Sequence, residues 1–304
     1  MKNFHYFFCF FLVLFFLSKF SVLSQAGARD VPDEIIKNIV GFLDQKSWIM
    51  LLRVNRKFYE LTLEGVSIIQ VHGDSAAEIK SKLSSFLIKN ESDSQLRPAL
   101  EKLDLTNSSI TDEGLKDLVE FIQKNFSNIN QLNLAQNKIS GQGAAHLAVL
   151  VRLKSLNLYW NGIGPEGARH LAGLTQLETL NLMRSKIDAA AAAHLRGLIH
   201  LKILNLYGNN IGAAGAVYLE GLTQLKVLDL GYNEIGSAGA VYLARLTQLE
   251  RLELNDNGIG SAGAVYLEGL TQLKFLNLFG NGISDESIRS LREVLGGSVT
   301  IIYR

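Results

Sequence analysis

From residue 129 onward, leucines and isoleucines recur between polar residues at fixed intervals. The stretch from Leu153 to Gln176, LKSLNLYWNGIGPEGARHLAGLTQ, sets the pattern. Copies begin at Ile129, Leu153, Leu177, Leu201, Leu225, Leu249 and Leu273, 24 residues apart without an insertion. A diverged first copy begins at Leu100 and runs 29 residues. The first half of each copy reads L-x-x-L-x-L-x-x-N, as at Leu177, Leu180 and Leu182. Its last two leucines alternate with polar residues, which is the period of a strand. The second half reads G-A-x-x-L-x-x-L, as at Gly215, Ala216, Leu219 and Leu222, a spacing that predicts a helix with one buried stripe. One strand and one helix cannot bury these leucines alone, whereas stacked copies can. The period therefore predicts an α/β solenoid, with a parallel sheet on the concave side and helices on the convex side.

Strand alternation sends positions 3, 5 and 7 of each copy away from that core. Position 5 is Asn133, Asn157, Asn181, Asn205, Asp229, Glu253 and Asn277, a polar row. Position 7 contributes Tyr159, Met183 and Tyr207, and position 8 contributes Trp160, Arg184, Tyr232 and Asp256. Strands lie about 4.8 Å apart, so these large side chains cluster within four adjacent repeats. Exposed aromatics beside an arginine are what protein-binding hot spots use. The expected target-binding residues are Asn157, Tyr159, Trp160, Asn181, Met183, Arg184, Asn205, Tyr207, Asp229 and Tyr232.

The repeat resembles the leucine-rich-repeat family, with its register kept over eight copies. Asn137, Asn161, Asn209, Asn233, Asn257 and Asn281 stand at the family's asparagine position. There the resemblance implies a buried ladder of side chains satisfying turn backbone groups. Ser108 and Ser185 depart from it, so the ladder is expected to weaken at those two turns. The wording G-A-x-x-L looks like the GALA subclass.

The chain before the repeats divides into three. Residues 1–26 open with Lys2, continue through an apolar run from Phe4 to Leu17 and end on Ser24, Gln25 and Ala26. That order is the pattern of a cleaved signal peptide, and the uncharged run of 16 residues between Lys2 and Lys19 is short for a spanning helix. Residues 27–64 predict a small helical domain: Pro32 suits a first helical turn, with Ile35, Ile36, Ile39, Val40 and Leu43 as its apolar face. Ser47 can cap a second helix carrying Trp48, and Val54 and Phe58 continue a third apolar line. This segment resembles an F-box through Pro32, Glu34, Ile35, Ile36, Ile39, Leu43, Asp44, Val54, Arg56 and Phe58, with Val31 and Trp48 departing from the usual leucines. The resemblance implies that Pro32, Ile35, Ile36, Ile39, Leu43, Val54 and Phe58 contact the Skp adaptor of a cullin–RING ubiquitin ligase. Residues 65–99 predict a bridging unit, a strand over 66–71 and a helix over 76–88. Residues 100–304 form the solenoid, closed by a helix over 287–295 and a strand over 299–303.

Composition narrows the chemistry. A formal net charge of +1 gives no strong pull toward nucleic acid or acidic membranes. Cys9 is the only cysteine and lies in the signal segment, so the mature chain would hold neither a disulfide nor a cysteine nucleophile. His146, His170 and His194 recur at one repeat position. On outer helices they would stand about 8–10 Å apart, too far to share one zinc ion. No cofactor, metal or catalytic residue is expected. The resemblances together imply a non-enzymatic adaptor, monomeric by itself, exported and acting in a host cell. The alternative is a secreted or periplasmic repeat protein whose N-terminal helices are only a cap.

Overall fold

The computed structural model describes residues 68–71, 73–89 and 100–304, all within the compact unit Leu63–Arg304. The signal-peptide segment, the F-box-like segment and its residues Pro32, Ile35, Ile36, Ile39, Leu43, Val54 and Phe58 lie outside the described residues.

Ten three-residue strands run in chain order through one parallel sheet, each paired with the next. They are β1 (Ile68–Gln70), β2 (Lys102–Asp104), β3 (Gln131–Asn133), β4 (Ser155–Asn157), β5 (Thr179–Asn181), β6 (Ile203–Asn205), β7 (Val227–Asp229), β8 (Arg251–Glu253), β9 (Phe275–Asn277) and β10 (Thr300–Ile302). The register is that of the repeat: Leu156 lies beside Leu180, Leu180 beside Leu204 and Leu204 beside Leu228. Interstrand bonding continues past the strands. Leu158 N–H donates to the Asn181 carbonyl and Trp160 N–H to the Met183 carbonyl, and equivalent bonds recur in the following repeats. The backbone is therefore held between repeats through position 8, which fixes where that side chain projects.

The core is one continuous aliphatic column. In the copy beginning at Leu153, the side chains of Leu153, Leu156, Leu158, Ile163, Ala168, Leu171 and Leu174 are all 0–1 % exposed. Each such leucine or isoleucine contributes about 1.5–3 kcal/mol by leaving water. The asparagine ladder runs beside them. Nδ2 of Asn233 donates to the carbonyls of Leu206, Leu230 and Gly231, and Oδ1 of Asn257 accepts from the N–H groups of Asn233 and Ile235. Ser185 reproduces only half of this. Its hydroxyl donates to the carbonyls of Leu158 and Met183, but it receives neither Asn161 N–H nor Ile163 N–H from the preceding repeat.

The helical half is shorter than its leucine spacing predicts. Helices α3 (Gly141–Leu147), α4 (Gly164–Leu171), α5 (Ala189–Leu195) and α7 (Gly236–Leu243) stop at the first leucine of L-x-x-L. Helices α6 (Gly212–Ala216) and α8 (Gly260–Ala264) pass into 3₁₀ turns. The second leucine is buried from a tight turn instead: Leu174 N–H donates to the Leu171 carbonyl, and Leu177 N–H to the Leu174 carbonyl. A 24-residue repeat leaves too few residues for a longer helix and the return to the next strand. The glycine opening G-A sets how close the helices come. A Cβ on Gly239 would lie 2.6 Å from Ile235 Cγ2 and 3.2 Å from Ala213 Cα of the preceding repeat.

The ends are longer elements. Before the repeats stand β1 and α1 (Ala76–Lys89); α2 (Asp112–Asn125) follows β2 and is capped by Thr111. At the far end α9 (Asp285–Leu295), capped by Ser284, leads to β10. Among the described residues no helix is long and apolar enough to cross a membrane.

Candidate protein-binding face

Position 8 is where the sheet becomes a surface. In this slot Trp160, Arg184, Tyr232 and Asp256 have φ of +53°, +50°, +56° and +55°. Gly208 and Gly280 occupy the same slot at +65° and +71°. The left-handed region is costly for a bulky L-residue and free for glycine. Trp160 and Tyr232 nevertheless stand there 53 % and 50 % exposed.

The large side chains meet one another across the strands. Tyr159 and Trp160 pack edge to face with centroids 5.8 Å apart, and the Arg184 guanidinium lies 5.7 Å from the Trp160 ring centre. Tyr207 and Tyr232 pack edge to face at 5.2 Å. Glycine at two neighbouring positions makes this possible. A Cβ on Gly231 would lie 2.8 Å from the Tyr207 ring, and one on Gly208 would lie 3.0 Å from Arg184 Cγ. The structure thus gathers Tyr159, Trp160, Met183, Arg184, Tyr207 and Tyr232 on one face, Met183 half-buried among them.

The polar row has a structural duty that alternation alone does not reveal. Oδ1 of Asn157, Asn181, Asn205 and Asp229 accepts the N–H of Tyr159, Met183, Tyr207 and Gly231 respectively, at 2.9–3.1 Å. Each holds the bend that presents its own position 7. These four expected target-binding residues are half-buried supports beneath the aromatics, with one side-chain oxygen already committed.

Models of the leucine-rich repeat match residues 175–235, 199–259 and 223–283, and further leucine-rich-repeat matches fall at 98–119 and 153–172. The chain is a leucine-rich-repeat protein. Among solved structures it is similar to internalin C2 from Listeria monocytogenes, at 27% identity and a TM-score of 0.56, over 69% of this chain and 83% of that one. A search of curated proteins finds no match.

Toward the C-terminal end of the leucine-rich-repeat face the chemistry turns acidic. Burial pushes the Asp229 carboxyl up to about 6, opposed by the Gly231 N–H bond and reinforced by the nearby Glu253. Asp229 and Glu253 are register partners on β7 and β8. Glu253 pairs with Arg251, whose guanidinium sits 3.8 Å from the Phe275 ring centre. The Tyr232 phenol is raised above its usual value chiefly by the hydrogen bond to Asp256, which also accepts from Asn255 Nδ2 at 3.1 Å. Arg251 and Phe275 belong to this face and were not among the expected residues. Position 3 signals them, changing from Gln131, Ser155 and Thr179 to Ile203, Val227, Arg251 and Phe275 along the chain. The histidines of the convex side are half-buried on α3, α4 and α5, and among the described residues no group of three or more His, Cys, Asp or Glu side chains could hold a metal ion.

Proposed function

We propose that this protein is a non-enzymatic substrate adaptor. The repeat arc holds a target protein, and the F-box-like segment links it to the Skp adaptor of a cullin–RING ubiquitin ligase. One observation carries the target-binding half. Trp160, Arg184 and Tyr232 occupy a left-handed slot that glycine fills at Gly208 and Gly280, and each costs folding roughly 1–2 kcal/mol there. Side chains kept at such a cost, exposed and touching one another, fit a surface whose function is contact. The ligase half is supported by Pro32, Ile35, Ile36, Ile39, Leu43, Val54 and Phe58, which match the F-box pattern immediately before a repeat array. The protein would supply proximity and the ligase the chemistry. A GALA-type repeat protein with a signal segment fits a chain exported by a bacterium and delivered into a host cytoplasm.

A second reading keeps the partner face and assigns residues 27–64 to a cap, making the protein a secreted or periplasmic binder. It is favoured by the likeness to internalin C2, a bacterial repeat protein. Titrating purified Skp adaptor against the mature chain separates the two. Saturable binding is expected for the adaptor. Failure to bind Skp adaptors of several eukaryotes leaves the second reading.

A further inference from the structure

The face described above is not uniform in charge. Arg184 stands on the β5 side of Gly208 and leans its stem across that glycine. On the other side, β7 and β8 bring Asp229, Glu253 and Asp256 around the Tyr207–Tyr232 pair. Arg251 is the one cation among the outward positions of β7 and β8, and it is engaged by Glu253 and the Phe275 ring. Among the described residues neither Asp229 nor Asp256 closes an ion pair; Asp229 is hydrogen-bonded by Gly231 N–H and the Asn205 side chain, and Asp256 by Asn255 and Tyr232.

The acidic end departs from the repeats on either side, as Asp104 does on β2, where it too accepts the position-7 N–H. Position 5 needs only an acceptor for the position-7 N–H, and asparagine provides it on β3, β4, β5, β6 and β9. At β7 an aspartate does the same work while leaving a half-buried carboxylate beside another carboxylate, an arrangement that raises its proton affinity. Asparagine would hold the bend as well without the charge. A side chain that costs more than its neighbours' equivalent, beside two aromatic rings, is suited to meeting a positive charge, because tyrosine faces and carboxylates both attract cations.

We propose that the leucine-rich-repeat face reads a dipolar extended segment of its target, taking a lysine or arginine side chain between Tyr207, Tyr232, Asp229 and Asp256 and a carboxylate at Arg184. The apolar residues between them cover Tyr207 and the Gly208 notch. The cation site centres on β7, two strand spacings or roughly 10 Å from β5. An extended partner rises about 3.3 Å per residue, so its acid and its base stand about three residues apart. The complementarity fixes direction as well as identity, since a reversed segment sets carboxylate against carboxylate. The inference rests on the partner-surface half of the function proposed above and is independent of the ligase half.

The test is selection of a phage-displayed library of random peptides on the full chain, with a Trp160→Ala/Tyr232→Ala variant as counter-selection. Enriched peptides are expected to carry a lysine or arginine with an acid about three residues away. A labelled peptide from that set should bind about tenfold more weakly to Asp229→Asn/Asp256→Asn, and that variant should melt no earlier than the parent. Arg184→Glu should abolish preference for the peptide's acid while leaving its base selected. Salt should weaken binding, as it does between charges. Enrichment of peptides without a cation, or unchanged affinity in the Asp229→Asn/Asp256→Asn variant, overturns the charge reading and leaves a purely apolar partner face. Peptides that bind the counter-selection variant equally well, or no enrichment at all, overturn the partner face itself.

Discussion

Residue by residue, the strand register separates side chains that hold the fold from side chains that serve the surface. Leu206 is fully buried and Tyr207, one residue on, lies half-buried on the outward face. Leu206→Ala leaves a cavity shared with the repeats on either side and is expected to cost roughly 2–5 kcal/mol. Tyr207→Ala loses an edge-to-face contact and is expected to cost about 1 kcal/mol. Denaturant midpoints compare them, and equal values would mean the register is misplaced. Asp229 makes a pH-dependent counterpart. Its carboxyl is raised from 3.8 to about 6 in the folded chain, so the folded state holds the proton more tightly than the unfolded one. The resulting penalty is fully present above about 6 and fades as pH falls toward the unfolded value. Asp229→Asn is therefore expected to stabilise at pH 7 by about 1–2 kcal/mol, less than the full shift implies because solvent screens part of it. The gain should shrink toward zero near pH 4; a gain that persists there would assign the effect to something other than the charge.

At the scale of one strand–turn–helix copy, stability comes from the ladder and from helix approach. Ser185 breaks the ladder at one turn, since it offers no acceptor to Asn161 N–H and Ile163 N–H. Ser185→Asn restores the acceptor that Asn257 supplies to Asn233 and Ile235, and is expected to raise stability by about 1 kcal/mol. The same change should slow hydrogen exchange at Ile163, and no added protection there would show the donor is satisfied without it. Gly239→Ala acts oppositely. A methyl 2.6 Å from Ile235 Cγ2 and 3.2 Å from Ala213 Cα displaces that side chain and presses α7 against the preceding repeat, at an expected cost of roughly 1–3 kcal/mol. The salt pairs that link Glu178 to Lys154 and Lys202, and Glu250 to Lys226 and Lys274, are exposed and contribute little beside these terms.

For the whole molecule, the decisive question is whether residues 27–64 serve as a cap or as an F-box. Three short helices that serve as a cap turn Ile36 onto other apolar side chains, whereas an F-box keeps Pro32 and Ile36 for a partner. Pro32→Ala with Ile36→Ala is thus expected to remove Skp-adaptor binding while shifting the melting temperature little. A cap predicts the reverse, an early melt with several kcal/mol lost and no binding to lose. A titration and a thermal melt on one preparation read both. The signal-peptide reading of residues 1–26 is tested apart from this: a mature chain beginning near Gly27 is expected, and an intact Met1 on secreted protein would refute cleavage.

The sequence by itself determined the architecture, because everything that fixes it is local or exactly repeated in spacing. Period-2 leucines set the strands, a period of 24 set the stacking, and positions 1, 4 and 6 were legible as core before any contact was known. It also located Tyr159 and Tyr207 on one face, since alternation dictates facing, whereas Trp160, Arg184 and Tyr232 join them from position 8, where the backbone is left-handed. Only the tertiary structure decided what those positions do to one another. The helices end a turn early because the chain must return within its repeat. Asn157, Asn181 and Asn205 spend an oxygen on the backbone two residues ahead, a choice of rotamer that the residue's place in a row does not disclose. Arg251 over Phe275, Tyr207 against Tyr232 across Gly231, and the displaced proton affinity of Asp229 all arise between residues about one repeat apart in sequence. Their separation is set by how closely neighbouring repeats stack and by what solvent that stacking excludes, and neither quantity is written in one repeat read alone.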